Sequence, residues 1–334
     1  MEKKKFSFNI NTWLPVIIFI LMVIIFAILT KGQLLTPYNI KSVINQTVAT
    51  WIAGLGLIFV AAMGSTDITP GVVVALAGCF GLMAAEHGSV LFIIISILIG
   101  ACSGLLLGFV NAKLKVNSFM ACIACMMSYR ALANLMLSNK SLYLPMNLMF
   151  IDNFTFKIIA VIILVCIITY IFNFTRFGNY VRGIGENEVA IRHTGVNVEA
   201  VKMAAFIIAG IMFGIAGIFT IARVGGTNNT MGIGFEMKVM MACFIGGVPV
   251  RGGEGSKIYK MLFGAPTITI LESGLVQLGC SGGVTQLIRG LVLLGAVCLT
   301  SFLAKRMAYV GQTGAKNQKA VEVEAGVSID INKK

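Results

Sequence analysis

Charge is scarce in this 334-residue chain: only 12% of its residues are Asp, Glu, Lys or Arg, and just 13 are acidic. A soluble domain carries about 25% charged and about 45–50% apolar residues. Here 57% are apolar and the mean hydropathy is +0.91. That leaves too little polar surface for a water-soluble enzyme or a disordered chain, and a polytopic membrane protein remains. Histidine is nearly absent. The two present, His87 and His193, fall on opposite faces of the topology derived below, so they build no Ser-His or metal-ligand constellation. Seven of the eight cysteines lie inside apolar runs and Cys280 at the edge of one, where a free thiol behaves as a small hydrophobe. Cys122-x-x-Cys125 has redox spacing but no βαβ context, so neither a redox centre nor a disulfide scaffold is implied. The glycine-rich stretch 245–257, IGGVPVRGGEGSK, lacks the Gly-x4-Gly-Lys-Ser/Thr of a phosphate loop. The chain therefore cannot hydrolyse ATP by that route, and its energy must come from a partner or an ion gradient.

Apolar runs are what the chain has in abundance. A membrane span needs about 20 such residues, fewer when tilted or broken. Ten candidates emerge: 13–30, 48–63, 71–85, 90–110, 118–137, 157–172, 203–221, 237–248, 258–278 and 285–303. The first follows a basic MEKKK but lacks a small-residue cleavage site, which reads as a retained span. The net charge of +13 follows topology rather than nucleic-acid binding. With the N-terminus in the cytoplasm and ten alternating spans, eighteen basic residues fall on the cytoplasmic side and six outside. Lys157, Arg223 and Lys238 are among the six, and Arg130 and Arg289 lie within spans. Such a bias obeys the positive-inside rule and puts both termini in the cytoplasm. Gly100, Gly104 and Gly108, with Gly210 and Gly214, put small residues on helix faces that favour close packing within the bundle over a dimer seam. The expected organisation is a cytoplasmic segment 1–12, one membrane domain 13–306, and a polar, disordered cytoplasmic tail 307–334.

Two interruptions break the apolar pattern. At 64–71, GSTDITPG, glycines and a proline end the helix, and Thr66, Asp67 and Thr69 introduce polarity. Irregular backbone at membrane depth is tolerated only where it is buried in protein or lines a cavity. Asp67 is thus either a translocation-path residue or the cap of a surface turn. At 225–234, GGTNNTMGIG, the pattern of Gly, Thr and polar residues returns, with Asn228 and Asn229 in the middle. The two breaks follow the second and seventh spans. That odd offset reverses chain direction, as in the inverted repeats of transporters.

The longest cytoplasmic loop, 173–202, contains a short helix signal. Asn187 is an N-cap, Glu188 follows it, and Gly195 stands at the C′ position, giving a helix over 188–194. Asn197 and Glu199 start the next span in the same way. A helix of about seven residues is unstable alone and needs something to dock against, its own bundle or a partner.

These segments carry a family resemblance. The chain resembles the membrane permeases of bacterial ABC sugar importers of the ribose/xylose/galactoside type. Gly64, Asp67 and Gly71 match that family's early Gly-Gly-Ile-Asp-Leu-Ser-Val-Gly segment. KVNSFMACIACMMSYRALA (115–133) is similar to a second block, and Gly185, Asn187, Ala190, Arg192, Gly195, Asn197, Val198 and Lys202 match the coupling segment. GFEMKVMMACFIGGVPVRGGEGS (234–256) and QLIRGLVLLGAV (286–297) look like the last two. The resemblance implies a pair of permease subunits (homodimer or heterodimer), a separate ATPase that binds ATP and Mg, and an external solute-binding protein. It implies no cofactor or metal on this chain. It makes 188–194, with Gly185, Asn187, Glu188, Ala190, Arg192 and Gly195, the coupling helix to the ATPase. Thr66, Asp67, Thr69, Asn228 and Asn229 become candidates for the translocation path or its gate. Ser65-Thr66, Thr69-Pro70, His193 and Val248–Arg251 depart from the family pattern, so the cargo, a monosaccharide by default, could instead be a nucleoside or autoinducer-type solute. The rival is an ion-coupled secondary transporter using Asp67 or Glu86. Asp67's near-isolation as an intramembrane acid counts against it.

Overall fold

The computed structural model describes residues 10–298 except Asn139; the 307–334 tail and the first nine residues lie outside that range. Eleven helices account for almost all of it: α1 (Ile10–Leu29), α2 (Pro37–Ala62), α3 (Pro70–Ala85), α4 (Ser89–Ala112), α5 (Ser118–Leu137), α6 (Phe154–Phe174), α7 (Arg176–His193), α8 (Val198–Val224), α9 (Phe235–Ile245), α10 (Ile258–Gln277) and α11 (Gly282–Cys298). Among the described residues the only strand pairing is a two-residue antiparallel ladder, β1 (Leu142–Tyr143) with β2 (Gly226–Thr227). The protein is an all-α polytopic membrane protein. Five helices (α2, α4, α5, α6 and α8) are both long and apolar enough to cross a bilayer.

Each candidate span coincides with a helix, and α5 matches to the residue. Two do not cross alone. At 1.5 Å per residue the 16 residues of α3 rise about 24 Å and the 11 of α9 about 16 Å, short of the roughly 30 Å hydrocarbon layer. The span expected at 237–248 is therefore a half-helix. Both short helices directly follow the polar breaks, so each crossing is completed by a non-helical limb, 63–69 before α3 and 225–234 before α9.

The depth of the breaks follows from α5. Its first residue, Ser118, accepts the Thr66 N–H at 3.2 Å, while Arg130 donates to the Met231 carbonyl at 2.7 Å. Twelve residues separate these contacts, about 18 Å along a 20-residue helix. Limb 63–69 therefore enters from the α7 end, limb 225–234 enters from the other, and the two meet deep in the bundle.

The meeting is symmetric. The same distance along the chain separates Gly64 from Gly225, Asp67 from Asn228, Thr69 from Thr230, Gly71 from Gly232, and the first residue of α2 from that of α8. Gly64 and Gly225 both adopt left-handed φ, 71° and 83°. Asp67 Oδ1 accepts the Thr69 N–H (2.9 Å) and hydroxyl (2.7 Å); Asn228 Oδ1 accepts the Thr230 N–H (3.1 Å) and hydroxyl (2.9 Å). Helix packing repeats the relation: α4 lies on α8 as α10 lies on α2, and α3 lies on α4 and α8 as α9 lies on α10 and α2. This is an inverted repeat, the arrangement the two glycine breaks suggested.

The core sits on α2 and α8, while the outer faces of α4, α5 and α6 expose Leu, Ile and Phe side chains as lipid contact requires. Along α4, Gly100 and Gly104 pack backbone to backbone on Gly210, Gly214 and Phe206 of α8. The small-residue stripes thus form a seam within one chain, where close approach replaces the missing hydrophobic drive.

Candidate functional site

At the crossing of the two breaks, the helix N-termini of α3 and α9 face each other. A Cβ on Gly71 would strike the Gly232 carbonyl oxygen, and one on Gly232 the Gly71 carbonyl. Glu236, in the first turn of α9, accepts the Gly234 N–H at 3.1 Å, and its other oxygen lies where a Gly71 side chain would be. One carboxylate therefore sits at the positive ends of two half-helices, which stabilises its charge. Glu236 appeared in the sequence only as part of a motif; its position in the first turn after a glycine break was the available signal.

Asp67 is buried at 1% exposure and Thr69 is fully buried, so the surface-turn reading of Asp67 does not hold. The carboxylate closes an Asx turn ahead of Pro70, whose missing N–H costs nothing at the start of α3. The Cys122 thiol donates to the Thr66 carbonyl at 3.3 Å, so α5 holds Thr66 and Asp67 in place. Thr66 and Asp67 border a small cavity between α2, α9 and Pro249–Val250. Thr66, Asp67 and Thr69 are brought together. Asn228 and Asn229 are not with them, because they sit on the opposite limb, with Asn228 exposed.

Asp67 is also less isolated than the sequence suggested. Within the helices, Glu272 of α10 pairs with Lys238 of α9 (2.8 Å) and Arg289 of α11 (2.9 Å). Lys238, counted with the outer loops, is thus an internal ion-pair partner. So is Lys157, fully buried on α6 against Asp152 and Asn45. An acid inside the ninth apolar run was the signal for Glu272. Glu86, by contrast, is exposed at the end of α3.

The 173–202 segment is mostly helical. Thr175 caps α7, which runs to Glu186 and kinks at Asn187 (φ −159°, ψ 98°). The helix expected from 188 is there, with Asn187 Oδ1 accepting the Ala190 N–H at 3.0 Å and Gly195 at φ 81° ending it. Asn197 caps α8 in turn. Glu188 accepts from Lys202 (2.8 Å) and Arg192 (3.2 Å), and the Lys202 ammonium holds its carboxyl below the usual range. Such a tether persists above the ordinary carboxyl pKa and is lost as pH falls through the lowered value. Ala190, Arg192 and His193 are exposed, and Val189 is 63% exposed, an apolar side chain on an outward face.

The root of that helix is locked to the first break. Gly185 has no room for a side chain between the Ala62 carbonyl and Gly253 N, Gly253 N donates to Ala62 O at 2.8 Å, and Glu254 N donates to Glu186 Oε1 at 2.8 Å. Gly64 packs on the Arg251 carbonyl in the same knot. Only a few residues of rigid backbone connect the exposed helix to Asp67.

A family model described as branched-chain amino acid transport system / permease component matches residues 39–297. The ribose import permease protein of Escherichia coli strain K12 is 27% identical over 280 residues, covering 78% of this chain and 85% of that protein. The L-arabinose transport system permease protein of the same strain is 31% identical over 304 residues, covering 85% and 90%. The fructose import permease protein of Rhizobium meliloti is 26% identical over 308 residues, covering 87% and 85%. No solved structure matches.

Proposed function

Because the chain belongs to this family of ABC importer permeases, we propose that it carries a monosaccharide inward across the bacterial inner membrane on ATP hydrolysed by a separate subunit. Family membership over most of the chain is the observation that supports this reading best. Two permease subunits enclose the path, an external binding protein delivers the solute, and ATP and Mg stay on the ATPase. Both termini lie in the cytoplasm. The sugar specificities of the relatives support a pentose or hexose cargo.

In this reading the exposed helix after Asn187 seats in a cleft of the ATPase through Val189, Ala190 and Arg192. Closure of the ATPase pushes on Gly185 and Glu186, which bear on Ala62 and the 251–254 turn. That movement reaches Gly64 and shifts the limb carrying Thr66, Asp67 and Thr69, opening or closing the path beside the α3–α9 crossing. The acids within the helical bundle, Asp67, Glu236 and Glu272, then serve structure and passage rather than ion coupling.

Asp67→Asn keeps the shape of the Asx turn and its bonds to Thr69 but removes the carboxyl from the limb beside the α3 N-terminus. Uptake should fall severalfold or more while association with the ATPase is unchanged. Transport at the wild-type rate in proteoliposomes would reduce Asp67 to a helix cap.

A further inference from the structure

At the end of the bundle away from α7, a cavity of about 330 Å³ opens between the N-terminal half of α2, the C-terminal half of α10 and the start of α11. Eight of its ten lining residues are polar, a composition foreign to helices this apolar. Ser42 and Gln46 line it from α2, Glu272, Ser273 and Gln277 from α10, and Arg289 from α11. Four buried atoms here have no hydrogen-bond partner within the chain: Glu272 Oε1, Ser273 Oγ, Gln277 Oε1 and Arg289 Nε, although Glu272 Oε1 lies 2.9 Å from the Arg289 guanidinium. Leaving such groups unserved is costly, so water or a polar solute must serve them.

The donor set limits what that occupant is. The charge of Glu272 is already balanced by ion pairs to Lys238 and Arg289, so no free carboxylate cage awaits a metal cation. A cation could not serve Arg289 Nε, and an acceptor-only anion could not serve Gln277 Oε1. A hydroxyl both donates and accepts. Several on one ring would satisfy Ser273, Gln277 and Arg289 together, while Val43 and Val276, also lining the space, meet the ring's C–H face. The volume lies at the lower end of small-molecule sites, about 300–1,000 Å³.

We infer that this cavity is a monosaccharide-binding way station within the permease, formed by Ser42, Gln46, Ser273, Gln277 and the Glu272–Arg289 pair. The choice of sugar as the polyol rests on the transport reading above. The site binds weakly, since a transit site must release its cargo.

The test is a titration of the purified full chain in lipid nanodiscs, without ATPase or binding protein, using D-ribose, L-arabinose and D-fructose as probes. Saturable binding of at least one sugar in the millimolar range is expected, weakened at least tenfold in Ser273→Leu and in Gln277→Leu, each of which fills the cavity with an apolar side chain. Gln277 is the last residue of α10, so its variant keeps the test alive if Ser273→Leu fails to insert. Absence of saturable binding for all three sugars, or wild-type binding in the correctly inserted variants, overturns the site and leaves a water-filled vestibule. ATP-driven uptake by the complete transporter, measured in parallel, separates the two claims. Uptake that is ATP-dependent but unaltered in both variants removes the way station alone, whereas no ATP dependence in the wild type removes the transport reading.

Discussion

Replacing residues 188–194 with a Gly/Ser linker is expected to reduce ATP-driven uptake to background, a loss on the order of a hundredfold or more. Coupling between sites of this kind is worth about 1–3 kcal/mol, which corresponds to factors of about 5–150, and here the whole mechanical link is removed. Insertion and packing should survive. The segment is largely exposed, and its contacts to the bundle are the Glu188–Lys202 bridge and Ile191 over Gly183. A bridge of that type at the edge of the bundle contributes about 1 kcal/mol. Uptake in right-side-out vesicles loaded with or without ATP, alongside membrane content, reads both quantities. Uptake retained in the linker variant would mean the ATPase acts elsewhere on the chain.

The second large effect is expected at the crossing of the half-helices. Gly71→Val drives its side chain into the Gly232 carbonyl and the Glu236 carboxylate, and Gly232→Val both strikes the Gly71 carbonyl and strains a backbone at φ 75°. Overpacking costs about 1–3 kcal/mol, and a left-handed φ on a side-chain-bearing residue adds about 1–2 kcal/mol. Either variant should lower the detergent Tm by several degrees and abolish uptake. Gly290→Ala is the control: a Cβ there meets nothing, so Tm should stay or rise. Equal Tm values for Gly71→Val and the control would show that the limbs do not meet as described.

What the sequence carried openly were features enforced by local physics. Apolar runs located the membrane helices because no lipid-facing helix can be polar. The apolar span 118–137 began where α5 begins, and there Asn117 accepts the Phe119 N–H as its cap. Asn187 and Gly195 bracketed the exposed helix as its cap and C′ glycine. Asp67's depth could not be read, since a buried limb and a surface turn share the composition GSTDITPG; only the contacts of Ser118, Cys122 and Gly71 place it. The half-length of α9 was hidden because 237–248 is as apolar as a short span. The Glu272–Lys238–Arg289 cluster was hidden because its members belong to three helices, and pairing across helices leaves no local pattern. The inverted repeat was visible only as two glycine-threonine breaks. Apolar residues substitute freely for one another along the packed helices, so the resemblance survives mainly where geometry demands it: glycine at φ near 80° and an Asp or Asn two residues before a Thr.

The central claim is that this chain works as the membrane half of an ATP-driven importer. The most direct measurement purifies the tagged chain in mild detergent from its native host, quantifies co-purifying subunits by mass spectrometry, and assays the reconstituted assembly for uptake. The account predicts a stoichiometric nucleotide-binding subunit, lost when residues 188–194 are replaced, and uptake that requires ATP. A chain that purifies alone and, once reconstituted, accumulates solute under an ion gradient without ATP would contradict it.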